Sequence, residues 1–168
     1  MNLRTLHGRA TPWYGIVVGV LLAVAELINR LWVANVFWKS GLTKIQSWNS
    51  TLFLFEYEYQ VPLLSPTLAA YLGTSAELTL PVLLAFGLLG RLAAGGLFIF
   101  NFVAMTSYPA LEAPGIHAHL VWGLMLLIPL FRGPGWISVD GAVHYFMTRR
   151  ASVAATRGTS DGTGHAGI

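Results

Sequence analysis

Glu26, Arg30 and Glu77 are ionisable side chains set inside apolar runs. At membrane depth such a residue is costly, so it normally faces the protein interior and has a partner. Glu26 and Arg30 are four residues apart with the acid first, the favourable order for a helix pair. Glu77 stands four residues before Pro81, which cannot donate to the carbonyl of residue 77 and leaves it free to accept. Two acids against one base leave one acid to hold a proton or to meet Lys39. The expectation is one buried polar cluster of Glu26, Arg30 and Glu77, completed by Asn101 at similar depth. Its chemistry would be to bind a polar head group or to hold a proton. The same three charges also satisfy a purely structural ion-pair cluster.

Other residues extend or limit that reading. His119 could point towards the charged cluster, whereas His117, two residues away, falls on a different helix face, so the two are poor joint metal ligands. Lys39 closes the first apolar run and can reach its head groups or bend back to Glu77. Lys44 reads as a second cation at the membrane surface, and Gly41 between them as a flexible turn. The chain has no cysteine, which removes disulfides, thiolate nucleophiles and Cys-ligated clusters. No nucleophile–base arrangement, phosphate loop or nucleotide fingerprint is present. The candidate ligand-binding residues are thus Glu26, Arg30, Glu77, Asn101, Lys39, Lys44 and His119, with no catalytic residue and no metal site assigned.

The elements that must position them are membrane helices. Of 168 residues 55% are hydrophobic and 10% charged, against about 25% charged in a soluble domain. The net charge of +3 comes without a basic stripe interleaved with aromatics, which argues against a nucleic-acid partner. The lipid bilayer is the partner that composition implies. Four apolar stretches, about 13–38, 67–89, 92–108 and 119–131, predict an all-α, four-helix membrane bundle. On the first, Gly15, Gly19, Ala23, Glu26, Arg30 and Ala34 share a side; on the second, Ala69, Gly73, Glu77, Pro81 and Ala85 do. Small residues at this spacing let membrane helices approach closely, so these stripes are the expected contact.

Between the first two spans, aromatic residues alternate with Leu and Glu up to Pro62, which predicts a short interfacial helix. After the fourth span, Gly133-Pro134-Gly135 stops the helix. Ser138 then caps an amphipathic surface helix over 138–150, with Asp140 in its first turn. The tail 151–168 is Ser-, Thr- and Gly-rich and reads as disordered. Arg4, Arg9, Arg91, Arg132, Arg149, Arg150 and Arg157 fall on one side and Lys39 and Lys44 on the other. This places both termini in the cytoplasm. A competing reading makes residues 1–25 a signal peptide cleaved after Ala23-Val24-Ala25.

The segment "RLWVANVFWKSGLTKIQSW", an Arg followed by Phe-x-x-x-Gly-x-x-Lys, resembles the DoxX family of small bacterial membrane proteins. "AELTLPVLLAFGLLGRLAA" is similar to that family's second span, with Glu77, Pro81, Gly87 and Arg91 in order. "GPGWISVDGAV" is similar to its ending. The resemblance covers about 13–145 and implies a four-helix bundle, with Arg30, Lys44 and Glu77 as the positions to test. Some relatives are subunits of a thiosulfate–quinone oxidoreductase. Others accompany the maturation of copper-binding peptides, the subgroup that the long aromatic loop most resembles. The resemblance therefore implies an accessory subunit of a quinone-linked redox system or of copper-peptide maturation, with a redox or maturation protein as partner and quinone as the cofactor to look for. The lack of cysteine sets aside a thiol relay. Two other readings stay open: a small transporter or exporter component working as a homo-oligomer, and a membrane anchor for a soluble partner.

Overall fold

The computed structural model describes the backbone of residues 12–161 and the side chains of residues 13–150. Among the described residues the chain is all-α, with six helices: α1 Pro12–Gln46, α2 Trp48–Tyr57, α3 Pro66–Phe86, α4 Gly90–Thr106, α5 Ala113–Arg132 and α6 Val139–Asp161. Three of them, α1, α3 and α5, are long and apolar enough to cross a membrane, and α4 is a shorter apolar helix. The α2 helix occupies the interfacial stretch expected to be helical. The α6 helix continues past the expected end at residue 150 to Asp161, 11 residues into the 18 read as disordered. Arg4 and Arg9, on which the orientation partly rests, and residues 162–168 lie outside the described residues.

Local chemistry explains the boundaries. Pro12 opens α1 at a position where its missing N–H costs nothing. Ser65 caps α3, accepting from Leu68 N at 3.4 Å, with Pro66 directly behind it. That helix runs through Pro81 and ends where Gly87 turns left-handed at φ 65. The hairpin from α3 to α4 is very short, so the two helices pack antiparallel. Ser138 caps α6 as expected, accepting from Gly141 N at 3.0 Å.

The core lies between α1, α3, α4 and α5, where Val33, Phe37, Leu84, Leu97 and Leu126 are buried. A second cluster joins Phe55 of α2 to Ala69 and Ala70 of α3. The α3 stripe of small residues is in contact as expected: Ala69, Gly73, Glu77 and Pro81 are all buried. The α1 stripe packs only in its C-terminal part, at Arg30 and Ala34, and continues beyond them to Phe37 and Gly41. A β-carbon on Gly15 or Gly19 would meet nothing within 4 Å.

Gly41 is therefore no turn. It lies inside α1, where a β-carbon would come within 3.0 Å of Glu77 Cβ. Its lack of a side chain lets the two helices touch beside the ion pair. At ~1.5 Å per residue, the 35 residues of α1 extend ~52 Å, well beyond the ~30 Å of a bilayer core. The part of α1 ahead of Glu26 is mostly exposed. Ile99 of α4 and Leu124 of α5 are about two-thirds exposed in the protein alone, as lipid-facing residues are.

Candidate functional site

Lys44 and Glu77 form the best-made polar contact of the bundle. Lys44 lies in the last turn of α1 and Glu77 midway along α3, and Gly41 lets the helices close at that level. Lys44 Nζ is 2.6 Å from Glu77 Oε2 and 2.8 Å from Oε1, and it also donates to Ser40 Oγ at 3.1 Å. Ser40 Oγ in turn donates to Glu77 Oε1 at 3.0 Å. Both charged side chains are shielded, at 14% and 5% exposure. A charge pair withdrawn from water this far must satisfy itself, and here it does.

The triad opens onto a cavity of about 610 Å³. Its walls are mostly apolar and aromatic: Phe37, Phe55, Phe100 and Trp122 come from α1, α2, α4 and α5. Phe37 stacks edge-on against both Phe100 and Trp122, at centroid distances of 6.2 and 6.0 Å. Tyr59 and Tyr108 stand at one end, 5.2 Å apart between ring centroids. The backbone is tied there by Gln60 N donating to Ser107 O at 2.7 Å. Burial, with the nearby charge of Glu77, pushes the Tyr59 phenol above its ordinary range. His119 also lines the cavity. Its Nδ1 lies 2.8 Å from Asn101 Oδ1, while Asn101 Nδ2 donates to the His119 carbonyl at 2.9 Å. Asn101 and His119, both expected at the site, thus belong to one unit.

The single cluster of Glu26, Arg30 and Glu77 does not form. Arg30 is 1% exposed, and its NH2 donates to Ile137 O at 2.5 Å, at the opposite end of the bundle from Lys44. The carboxylates whose charges act on it are Glu26 and Asp140. Glu26 itself pairs with Arg132, Nε to Oε1 at 3.0 Å. The expected cluster is split for a physical reason. Helix α1 is longer than a bilayer, so counting from the start of its apolar run sets Arg30 too deep. Ser40 and Lys44, further along the same face, are the residues that reach the level of Glu77. Lys39 is exposed and takes no part, and Lys44 is a buried partner, not a surface anchor.

Several residues of the two polar ends carried little warning. Ser40 stands four residues before Lys44, so a shared face was readable. Asp140 was readable only as a first-turn acid of its own helix. Its carboxylate instead accepts from Leu89 N at 3.0 Å and Gly90 N at 2.9 Å, closing the start of α4. Among the described residues no group of three His, Asp or Glu gathers to hold a metal ion. The arrangement suits an uncharged or weakly polar guest: greasy walls, a neutralised ion pair, and an imidazole held by an amide.

The sequence pattern of the DoxX family matches residues 25–110, which include Arg30, Lys44, Glu77 and Asn101 and stop short of His119. An uncharacterized protein of Haemophilus influenzae is 31% identical over 131 residues, covering 73% of this chain and 85% of that protein. No solved structure matches significantly.

Proposed function

We propose, for a chain that belongs to the DoxX family of membrane proteins, that it is an accessory subunit of a quinone-linked redox system and that its cavity receives the ring of a lipid-soluble quinone-type molecule. In this reading α1, α3, α4 and α5 cross the bacterial inner membrane, with both termini in the cytoplasm. The positive-inside rule supports that orientation, since Arg91, Arg132, Arg149 and Arg150 then lie on the cytoplasmic side and Lys39 and Lys44 on the other.

The observation that carries the reading is the cavity itself. Its volume of about 610 Å³ falls in the range of small-molecule sites, and a mostly apolar lining with a few convergent polar groups is their usual make-up. A quinone-type ring would pack among Phe37, Phe100 and Trp122, with its polar edge near the Lys44–Glu77 pair and His119. In this reading the role is to hold a ligand and present it to a redox partner.

The test is solvent extraction of the detergent-purified protein followed by mass spectrometry. We expect a quinone near one equivalent in the unaltered protein. We expect its loss in Ala104→Phe, whose ring would fill the cavity that Ala104 lines. Protein that carries no lipid-soluble ring compound and takes up none from quinone-loaded vesicles would overturn the assignment.

A further inference from the structure

The Asn101–His119 pair fixes which atom of the cavity is free to bind. Asn101 Nδ2 lies 2.9 Å from the His119 carbonyl oxygen. A carbonyl only accepts, so the amide must present its NH2 group there. The amide oxygen is therefore the atom 2.8 Å from His119 Nδ1. An amide oxygen also only accepts, so Nδ1 carries the proton. In a neutral imidazole the lone pair then resides on Nε2. That nitrogen has no hydrogen-bond partner among the described residues. His119 lines the cavity and Asn101 does not, so the ring edge turned away from Asn101, which carries Nε2, is the one presented to it. Trp122 holds the ring from the side at 4.9 Å between centroids.

The other polar groups point the same way. Lys44 has three protons and three close acceptor contacts, two to Glu77 and one to Ser40, so little of its donor capacity remains. Ser107 lines the cavity, is 3% exposed, and its Oγ is buried with no partner. A buried hydroxyl without a partner is uncommon and asks for an explanation. The unused capacity of the cavity thus includes one pure acceptor, His119 Nε2, beside groups that can donate, among them the Ser107 and Tyr59 hydroxyls.

We infer that His119 Nε2 is the ligand's hydrogen-bond acceptor, and that the cavity selects flat apolar rings bearing a hydroxyl donor: phenols, including the dihydroxy form of a quinone, over their dicarbonyl or ether counterparts. A dicarbonyl ring has only acceptors. It can accept from the cavity hydroxyls but would leave the lone pair of Nε2 without a donor. The inference rests on the cavity being a ligand site, as proposed above, and adds which form it takes and through which atom. Asn101 is a positioning residue, since it holds the tautomer that leaves Nε2 open.

The experiment measures binding of two ligand pairs to the full-length protein in detergent, by quenching of tryptophan fluorescence. One pair is 4-nonylphenol and its methyl ether, which differ in the donor proton and have no redox chemistry. The other is decylubiquinol and decylubiquinone. We expect the phenol to bind about tenfold more tightly than the ether, the effect of one well-made hydrogen bond, and the quinol more tightly than the quinone. In His119→Phe both preferences should vanish while the ether keeps its affinity. Because the phenol–ether comparison uses the unaltered protein, a misfolded variant would not spoil it. Equal affinity for phenol and ether would overturn this inference and leave the cavity as a ligand site. Discrimination that persists in folded His119→Phe would overturn the assignment to Nε2. No binding of any of the four would overturn both readings.

Discussion

Lys44 and Arg30 are cations on the same side of one helix, ~21 Å apart along its axis by helical rise, and the bundle uses them in opposite ways. Lys44 meets a full carboxylate and a hydroxyl, so its charge is cancelled where a cavity opens beside it. Arg30 has no carboxylate in hydrogen-bond contact. It grips the carbonyl of Ile137, and its Nε and NH1 are buried with no partner. Around it the chain is tight: Gly87 leaves no room for a β-carbon beside the guanidinium, and Asp140 ties the α6 start to the first turn of α4. One end is a neutralised pair facing space, the other a cation with no hydrogen-bonded carboxylate clamping a loop. A buried charge in a membrane helix therefore does not by itself mark a binding site. What separates the two cases is whether room for a guest lies next to it.

The widest test of that contrast is removal of one charge at the Lys44 end. Lys44→Met strands Glu77, and breaking a buried pair from one side costs about 3–5 kcal/mol. The double variant Lys44→Met, Glu77→Met leaves no stranded charge and should regain most of that loss, while altering affinity for cavity ligands. Unfolding in mixed detergent micelles measures the first effect and ligand quenching the second. A double variant as unstable as the single one would mean that the pair is not the self-contained unit described above.

At the Arg30 end the corresponding change is Gly87→Ala. A left-handed conformation costs an L-residue about 1–2 kcal/mol, and crowding a packed site adds about 1–3 kcal/mol. With φ at 65 and the guanidinium in the way, a loss of about 2–5 kcal/mol is expected. Ligand affinity of the protein that remains folded should be unchanged, because the site lies at the other end. A variant that keeps its stability would show that Arg30 has slack, and one that loses ligand at full stability would join the two ends.

The sequence made the fold legible and the pairing of charges much less so. Apolar run lengths, Ser65-Pro66, Gly133-Pro134-Gly135 and Ser138 located the helix boundaries because each signal acts within one or two turns. Glu77, Asn101 and His119 were also recognisable as polar groups set within apolar helices, whereas Lys44 read as a surface cation. Which helix level meets which was not readable. On a helix of 35 residues the small-residue stripe can be continued in either direction, and Gly15-x-x-x-Gly19 looks as good a contact as Ala34 and Gly41. The register is set by tertiary contacts, Lys44 to Glu77 at one end and Arg30 to the Ile137 loop at the other. Those join residues 33 and 107 positions apart, beyond any local pattern.

The smallest effect, and the one that sharpens the cavity's side of the comparison, concerns Tyr59. Its phenol is raised from the ordinary 10.0 first by burial and then by the neighbouring charge of Glu77, and Phe55 and Tyr108 cover its ring. The folded protein then holds this proton to higher pH than the unfolded chain does. Its contribution to stability is fully present below pH 10 and is lost as pH rises from about 10 through the folded value. Absorbance of tyrosinate at 295 nm should show one late-titrating phenol that Tyr59→Phe removes, and the stability of that variant should decline less steeply above pH 10 than the parent's. Filling the cavity with a phenolic ligand should delay the titration further, since a guest excludes more water from the phenol. If Tyr59 instead ionises with the exposed tyrosines and ignores the ligand, water already fills the space beside it. The contrast between a dry, guest-ready end and a clamped one would then lose its basis.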